Sequence, residues 1–394
     1  MRKYCLRRCR LLTECGIKER DLLISGAQIE AIVKRGEAVS ADYEIIDCEN
    51  LYVSPGFIDI HQHGGGGSDY MDGEEDTYLN VTQAHLRHGI TSVMPTMLSA
   101  DKAGILRAVE SYKKAKSDQR IKCNLLGLHM EGRYISPAYA GAQKPDTIVP
   151  FDEAEYLEII RAADGHLKRW SVAPELQGVE RFAEVARENG IVLSIAHSEA
   201  DFETVFRAYQ MGFRHVTHLY SCTSTIVRKN GFRIPGIIEA AYYLDDMDVE
   251  IIADGCHLPH ALLAYVAKFK SHDRIALITD AMRAAGTNAQ KSYLGSAESS
   301  PLSVIIEDGV AKLEDRSAFG GSIATGDRLI CNMVQSGVSL FDAVKMMTEN
   351  PLRMMGLNLK KGKLRAGYDA DICVFDENVN IQKVFCNGSL IEIF

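Results

Sequence analysis

The chain has 394 residues, of which 46% are apolar and 25% are charged, proportions typical of a folded globular protein. Acidic residues outnumber basic ones by 53 to 44, which gives a net charge of -9. This composition argues against a disordered or fibrous chain, and the lack of a basic stripe argues against a nucleic-acid partner.

Two further features of the sequence bear on the compartment. No apolar run approaches the roughly 18 residues that cross a bilayer, and the basic start of the chain lacks the apolar core of a secretory signal. The 10 cysteines are scattered along the chain without a CxxC pair. We therefore expect a cytoplasmic protein with reduced thiols and no membrane contact.

The two flanks of the sequence carry strand patterns. Residues 22–53 and 358–394 alternate Val, Ile and Phe with turns at Gly and Asp, a pattern typical of β-hairpins. Neither flank alone can bury two faces of a sheet. We therefore predict that residues 1–54 and 358–394 form one small β-sandwich domain, into which residues 55–357 are inserted as a second domain.

The middle of the sequence alternates short β-rich runs with longer amphipathic stretches. The candidate strands are Phe57–His61, Ile90–Thr96, Asn124–Glu131, Arg169–Ala173, Ile191–His197, Arg214–His218, Val249–Asp254 and Arg274–Asp280. Helical patterns lie between them at Asp101–Lys116, Val179–Asn189, Ala200–Met211 and His260–Lys270. Strands and helices in this alternation predict an α/β fold, a closed parallel (β/α)8 barrel of the TIM type.

Candidate ligands fall at the carboxyl ends of these strands, where the active sites of such barrels lie. On the first strand, Asp59, His61 and His63 are spaced by two, and the period of a strand places all three on one face. An isolated His-x-His is commonly a pair of polar residues at a strand end. Here further strands also end in a potential ligand, namely Glu131, His197, His218 and Asp280.

The types of these side chains indicate the metal and its use. Imidazole nitrogen and carboxylate oxygen suit zinc or a similar first-row divalent ion, and the lack of a cysteine quartet argues against a closed structural site. An ion with open positions activates water and polarises a carbonyl. We assign Asp280 as the general base and acid, which passes a proton from the attacking water to the leaving amine. Capping of the following helix is the structural alternative.

Several segments together resemble the amidohydrolase superfamily, and within it the N-acetylglucosamine-6-phosphate deacetylase family. They are PGFIDIHQHGGGG, GLHMEGRYISPAYAGAQ, IAHSEA, VTHLY, IIADGCHLPH, LITDAMRAAG, FGGSIATGDR, ENPLRMMGL and LRAGYDADICVFD. The resemblance implies a metal-dependent hydrolase that removes the acetyl group from an amino sugar phosphate. It also implies a distorted barrel, a β-sandwich made from both termini, and a homodimer.

Carried over residue by residue, the resemblance assigns one ion to Glu131, His197 and His218. It gives Asp280 the role stated above and places His257 against the sugar or the scissile carbonyl. Some members of the family keep both histidines of His-x-His and hold two ions. His61 and His63 therefore allow a second ion here, with Glu131 as a bridge.

The substrate side of the site departs from the family pattern. Gln143 stands where members have a histidine, and Ser221 and Cys222 stand where members have Asn-Ala. The family's arginine, which reaches the phosphate from a neighbouring subunit, corresponds to Arg233, with Arg228 as a competing candidate. The substrate contacts that the resemblance implies are Ala142, Gln143, Ser221, Cys222, Arg233, His257, Phe319, Gly320 and Gly321.

Three functions follow from these observations. The first is deacetylation of N-acetylglucosamine 6-phosphate to glucosamine 6-phosphate and acetate. The second is hydrolysis of another N-acyl amine, such as N-acetylgalactosamine 6-phosphate or an N-acyl-D-amino acid, which the altered Gln143, Ser221 and Cys222 favour. The third, a binding protein without activity, is disfavoured because Asp280 and the full ligand set are retained.

Overall fold

The computed structural model describes residues 2–296 and 301–392. Its larger unit is a parallel sheet whose strands follow one another around a barrel in sequence order. The barrel strands are Phe57–Gln62, Ile90–Met97, Leu128–Glu131, Leu167–Val172, Val192–Ile195, His215–Val216, Asp248–Ile252 and Ile275–Ile278. A short strand, Asn124–Leu125, precedes the third and pairs with the second. The predicted (β/α)8 barrel is confirmed.

The barrel closes between its last and first strands. The Asp280 amide donates to the His61 carbonyl over 3.0 Å, and the His63 amide donates to the Ala281 carbonyl over 2.9 Å. Because the barrel strands all run parallel, their carboxyl ends meet at one rim. The residues that end the first, third, fifth, sixth and eighth strands are thereby brought together.

Three barrel strands end earlier than the sequence predicts. The predicted strands run through His197, His218 and Asp280, but each observed strand stops two residues before. At these positions φ is 45°, 30° and 46°, in the left-handed region that strand residues do not adopt. The chain therefore leaves the strand just before each site residue. Backbone strain of this kind is typical of active sites.

Helices accompany the barrel strands along the chain. The α-helices are Thr77–Leu86, Lys102–Ser117, Glu153–Ala163, Val179–Glu188, Phe202–Gln210, Ile237–Tyr243, His260–Phe269, Gly326–Gln335, Leu340–Lys345 and Glu349–Met354, with 3-10 turns at Pro137–Tyr139, Pro145–Thr147 and His272–Arg274. Asp101, Asp152 and Asp201 each cap a helix by accepting a backbone amide three residues on. Within the described residues, none of these helices has both the length and the apolar character that crossing a bilayer requires.

Strands from both ends of the chain form one eight-stranded sheet. They are Lys3–Thr13, Gly16–Ser25, Gln28–Val33, Glu44–Asp47, Tyr52–Pro55, Ile372–Phe375, Ile381–Cys386 and Ser389–Ile391. The two ends meet where Ile372–Phe375 pairs antiparallel with Tyr52–Pro55. Tyr4, Leu22 and Phe385 belong to a core that is separate from that of the barrel. The small β domain of both termini is confirmed, and its boundaries at residues 54 and 358 stay a prediction.

The sequence analysis did not anticipate a three-stranded antiparallel sheet beside the barrel rim. Its strands are Lys291–Leu294, Leu302–Glu307 and Val310–Leu313. Leu294 and Val304 pack in one cluster with Met282, two residues after Asp280. This sheet therefore forms a wall on one side of the rim. Two short hairpins complete the strands, Gly64–Gly65 with Ser68–Asp69 and Val227–Lys229 with Phe232–Ile234.

Candidate metal centre and active site

A cavity of about 270 Å³ opens at the carboxyl rim of the barrel. The predicted ligands and general base that line it are His63, Glu131, His197, His218 and Asp280. The predicted substrate contacts that line it are Ala142, Gln143, Ser221, Cys222, His257, Phe319 and Gly321. The fold therefore brings together most of the residues that the sequence singled out, although they come from segments more than 200 residues apart.

Glu131, at the end of the third strand, lies at the centre of the ligand set. Its Oε1 is 2.8 Å from His218 Nε2 and 3.2 Å from His197 Nε2. The potential ligand atoms of these three residues all lie within 4.8 Å of one another. Three protein ligands can hold one ion and leave positions open for water and substrate, as catalytic sites do.

A second group of potential ligands lies beside the first and consists of His61, His63 and Asp280. Asp280 Oδ1 is 3.1 Å from His63 Nε2 and 3.5 Å from His61 Nε2. Glu131 faces this group as well, because its Oε2 is 3.2 Å from His63 Nε2 and its Oε1 is 3.5 Å from His61 Nε2. The geometry is thus compatible with Glu131 as a bridge between two ions.

The orientation of the imidazoles fits a metal centre. In His63, His197 and His218, Nδ1 lies 3.2, 2.8 and 3.0 Å from a backbone carbonyl oxygen. A proton on Nδ1 leaves the Nε2 lone pair for an ion. His61 Nε2 is buried without a hydrogen-bond partner among residues 2–296 and 301–392, which is costly for a polar atom. An ion beside Glu131 would satisfy it.

The two buried carboxylates dominate the electrostatics of the site. Burial lowers the pKa of His63, but Asp280 and Glu131 more than offset this effect and raise the pKa to about 10. Burial also lowers the pKa of His61, and the same two carboxylates outweigh it and raise that pKa to about 9. Burial raises the pKa of Glu131 itself, and the surrounding imidazoles, His61 first, outweigh it and lower that pKa well below its usual range. Glu131 and Asp280 are therefore held as carboxylates, and this favours cationic groups beside them.

Gln143 lines the cavity and also bonds Glu131, one of the potential metal ligands. Its Nε2 donates to Glu131 Oε2 over 3.1 Å, and its Oε1 accepts from the Ser99 amide over 3.0 Å. Because a backbone amide can only donate, this contact fixes which end of the Gln143 amide faces Glu131. The predicted substrate contact thus also orients the carboxylate that both ligand groups share.

His257 is held by a carboxylate that the sequence analysis left without a role. Asp254 Oδ2 lies 2.7 Å from His257 Nδ1, and Asp254 Oδ1 accepts from the amides of Cys256 and His257. The ring of Phe319 packs against the imidazole, with centroids 4.7 Å apart. These contacts engage His257 Nδ1, while the residue lines the cavity. The signal was available in the motif ADGCH, where an acid precedes a histidine by three residues.

Two predicted substrate contacts lie outside the cavity wall. Gly320 packs against the three-stranded sheet, where an added Cβ would meet Val304 Cγ1 at 2.7 Å. Arg233 lies on the hairpin at 227–234, paired in register with Arg228, and its Nη1 donates to the Gly231 carbonyl over 3.1 Å. Neither arginine lines the cavity of the single chain. A role of Arg233 or Arg228 in phosphate binding stays a prediction.

Two charged residues inside the barrel escaped the sequence analysis. Arg169 and Glu250 lie on the fourth and seventh strands, and their side chains are 0% and 1% exposed. A charged residue next to apolar ones in a predicted strand, as in RWSVA and VEIIA, was the available signal. Their contacts to His61 are taken up below.

We expect the purified protein to carry one or two divalent ions per chain, because Glu131, His197 and His218 supply one three-ligand site and His61 with His63 a second. The double substitution His61→Ala, His63→Ala is expected to leave the ion held by Glu131, His197 and His218 in place, and elemental analysis of the purified variants measures the count. His260→Ala serves as a control, because that histidine is exposed and bonds Ser336. Full hydrolase activity in a metal-free preparation would contradict the assignment.

Comparison with known proteins shows the family of the chain. Residues 52–391 match the Amidohydrolase family. The N-acetylglucosamine-6-phosphate deacetylase of Lysinibacillus sphaericus is 31% identical over 375 residues, which are 95% of this chain and 93% of that protein. The N-acetylgalactosamine-6-phosphate deacetylase of Escherichia coli O157:H7 is 28% identical over 389 residues, which are 98% of this chain and 99% of that protein.

Among solved structures, similarity extends over the whole fold. A mutant of the N-acetyl-D-glucosamine-6-phosphate deacetylase of Mycobacterium smegmatis, in complex with N-acetyl-D-glucosamine-6-phosphate, superposes with a TM-score of 0.89. The two chains are 26% identical, and the match covers 99% of each.

A parallel barrel with two groups of potential metal ligands around a rim cavity is typical of one class of proteins, the metal-dependent barrel hydrolases. An acidic residue after the eighth strand, Asp280, lines the same cavity as both groups, which is the arrangement expected for hydrolysis by an activated water. The chain belongs to the amidohydrolase family, and within it to the N-acetylglucosamine-6-phosphate deacetylase family.

Proposed function

We propose that this enzyme hydrolyses the acetamide of N-acetylglucosamine 6-phosphate and releases acetate and glucosamine 6-phosphate. The observation that carries the proposal is the meeting of Asp280 with both ligand groups in one cavity. A relative that is 31% identical over nearly the whole chain bears the name of this activity, and a solved relative contains this substrate.

The residues of the site have separate parts in this reaction. The proposed ligands are Glu131, His197 and His218 for one ion, and His61 and His63 for another. A bound divalent ion, for which we propose zinc on its nitrogen and oxygen ligands, supplies an activated water and a Lewis acid for the acyl carbonyl. Asp280 takes the proton of the attacking water and delivers it to the amine nitrogen as the C–N bond breaks. His257, fixed by Asp254, orients the sugar or the acyl carbonyl.

We further propose that the enzyme is a cytoplasmic homodimer whose hairpin at 227–234 reaches the partner's site. Among the described residues, no lysine or arginine lines the cavity, so a substrate phosphate needs a cation from elsewhere. The hairpin region exposes large apolar side chains, since Phe232, Ile226 and Tyr243 are 73%, 54% and 69% exposed. All 10 cysteines are free thiols, which suits the cytoplasm.

Arg233→Met is expected to raise KM for the 6-phosphate sugar by about 10- to 100-fold, the worth of a hydrogen bond to a charged group. KM for the unphosphorylated sugar should barely change, because it has no phosphate for the guanidinium to meet. Steady-state acetate release with both sugars measures the two values.

Arg228→Met is the matched control, because Arg228 lies directly across the hairpin from Arg233. If only the Arg228 variant loses affinity for the phosphorylated sugar, Arg228 is the phosphate ligand. Equal activity of the unmodified enzyme on both sugars would remove the phosphate from the proposal.

A second candidate is the hydrolysis of another N-acyl amine, such as N-acetylgalactosamine 6-phosphate or an N-acyl-D-amino acid. The hydrogen bond from Gln143 to Glu131 favours this second candidate, because a side-chain amide engaged in that bond is less free to contact a sugar hydroxyl. A panel of N-acetylated glucosamine, galactosamine and D-amino acids, the sugars with and without a 6-phosphate, distinguishes the candidates. Release of acetate from N-acetylglucosamine 6-phosphate with the highest kcat/KM is expected.

A further inference from the structure

Arg169 and Glu250 form an ion pair that is buried inside the barrel, near the ligand groups. Arg169 Nη1 bonds Glu250 Oε1, and the two side chains are 0% and 1% exposed. Taking two charges out of water costs several kcal/mol per ion, and apolar residues of similar size often replace such pairs without loss of stability. Stability therefore does not explain this pair, and its other contacts do.

Arg169 is also held by two hydroxyl groups from the next strands of the barrel. Its Nε donates to Ser194 Oγ over 3.0 Å, and its Nη2 donates to Thr217 Oγ1 over 2.8 Å. These hydrogen bonds, together with the bond to Glu250, fix the guanidinium in one orientation. Arg169 in turn fixes the carboxylate of Glu250 and compensates its charge.

The second oxygen of Glu250 faces the metal centre. Glu250 Oε2 lies 3.4 Å from His61 Nδ1. With its proton on Nδ1, the His61 ring directs the Nε2 lone pair toward Glu131 Oε1 and Asp280 Oδ1, each 3.5 Å away. A carboxylate behind a ligating imidazole orients the ring and increases its basicity.

His61 differs in this respect from the other potential histidine ligands. His63, His197 and His218 each place Nδ1 against a backbone carbonyl, whereas His61 places it against a carboxylate. A backbone carbonyl needs no charge compensation, but a buried carboxylate does. Glu250 therefore acts on His61, and Arg169 compensates the buried charge of Glu250.

We propose that Glu250, held by Arg169, is a positioning residue that orients His61 and tightens the second ion, the one proposed for His61 and His63. The inference rests on the proposed metal-dependent function of the site. It predicts that the pair controls this second ion and leaves the ion of Glu131, His197 and His218 unaffected.

The test measures zinc release from the zinc-loaded enzyme to a chromophoric chelator, with elemental analysis of the same samples. The wild type should hold two zinc ions. Glu250→Gln should weaken the second ion by about 10- to 100-fold, the usual effect of removing a group that supports a ligand. Asp248→Asn is the control, because Asp248 lies on the same strand and pairs with Arg353 on the far side from the rim; it should leave both ions unchanged.

Glu250→Gln leaves Arg169 buried without its partner, so a second variant guards against misfolding. Arg169→Met combined with Glu250→Leu removes both charges and preserves apolar packing. The same loss of the second ion, with an unchanged first ion, is expected. Wild-type affinity for both ions in the double variant, or one ion only in the wild type, would overturn the inference. Acetate release is measured separately, so failure of the proposed reaction is distinguishable from failure of this role.

Discussion

Asp280→Asn is expected to lower kcat by about 10² to 10⁴-fold while the metal content stays that of the wild type. The carboxylate faces the cavity, with Oδ1 3.1 Å from His63 Nε2. An amide keeps an oxygen in this position but cannot take the proton of the attacking water. Acetate release and elemental analysis on the same preparation measure the two effects.

Asp246→Asn is the matched control for this substitution. Asp246 is an exposed carboxylate that accepts from the Tyr209 hydroxyl and belongs to neither ligand group. Its kcat should equal that of the wild type. If the Asp280 variant also kept nearly all of its activity, another group would move the proton, and His257 would be the next to test.

Glu131→Gln is expected to abolish high-affinity metal binding and to reduce activity to below about 10⁻⁴ of the wild type. Glu131 faces both ligand groups, with Oε1 2.8 Å from His218 Nε2 and Oε2 3.2 Å from His63 Nε2. Without the ion, the attacking water has a pKa near 15.7 instead of about 7. Elemental analysis, acetate release and circular dichroism report metal, activity and fold.

Glu175→Gln provides the same chemical change outside the ligand groups. Glu175 is a half-buried carboxylate that accepts from the Ser198 hydroxyl and the Glu199 amide, next to the end of the fifth strand. Metal content should be unaffected. A Glu131 variant that keeps its ions would mean that the histidines and Asp280 suffice, and the shared carboxylate would lose its central role.

The positions of the ligands could be predicted because they depend on rules that act within short segments. His61 and His63 share a face because a strand repeats every two residues. Glu131, His197 and His218 meet because parallel barrel strands place their carboxyl ends at one rim, whatever lies between them in the sequence. The small β domain was predictable for a similar reason, since neither flank alone can cover a sheet.

Other features depend on which side chains the fold sets against one another. Gln143 was predicted to meet the substrate, yet its amide bonds Glu131 and the Ser99 backbone. The contact depends on the path of the loop after the third strand, which no local pattern encodes. Arg233 was predicted to bind a phosphate, and it lies on an exposed hairpin outside the cavity wall. The sequence could not predict this position, because the distance of a loop residue from the site depends on the fold of the whole chain.

The sequence by itself determined the barrel, the β domain of both termini and the chemistry of the strand ends, because these follow from periodicity and from the types of side chain. Only the tertiary structure decided that Arg169 and Glu250, 81 residues apart, form a pair behind His61. Strand periodicity predicts that a residue faces inward, but the register and curvature of the closed sheet determine which inward-facing residues touch. That register is a property of the whole barrel.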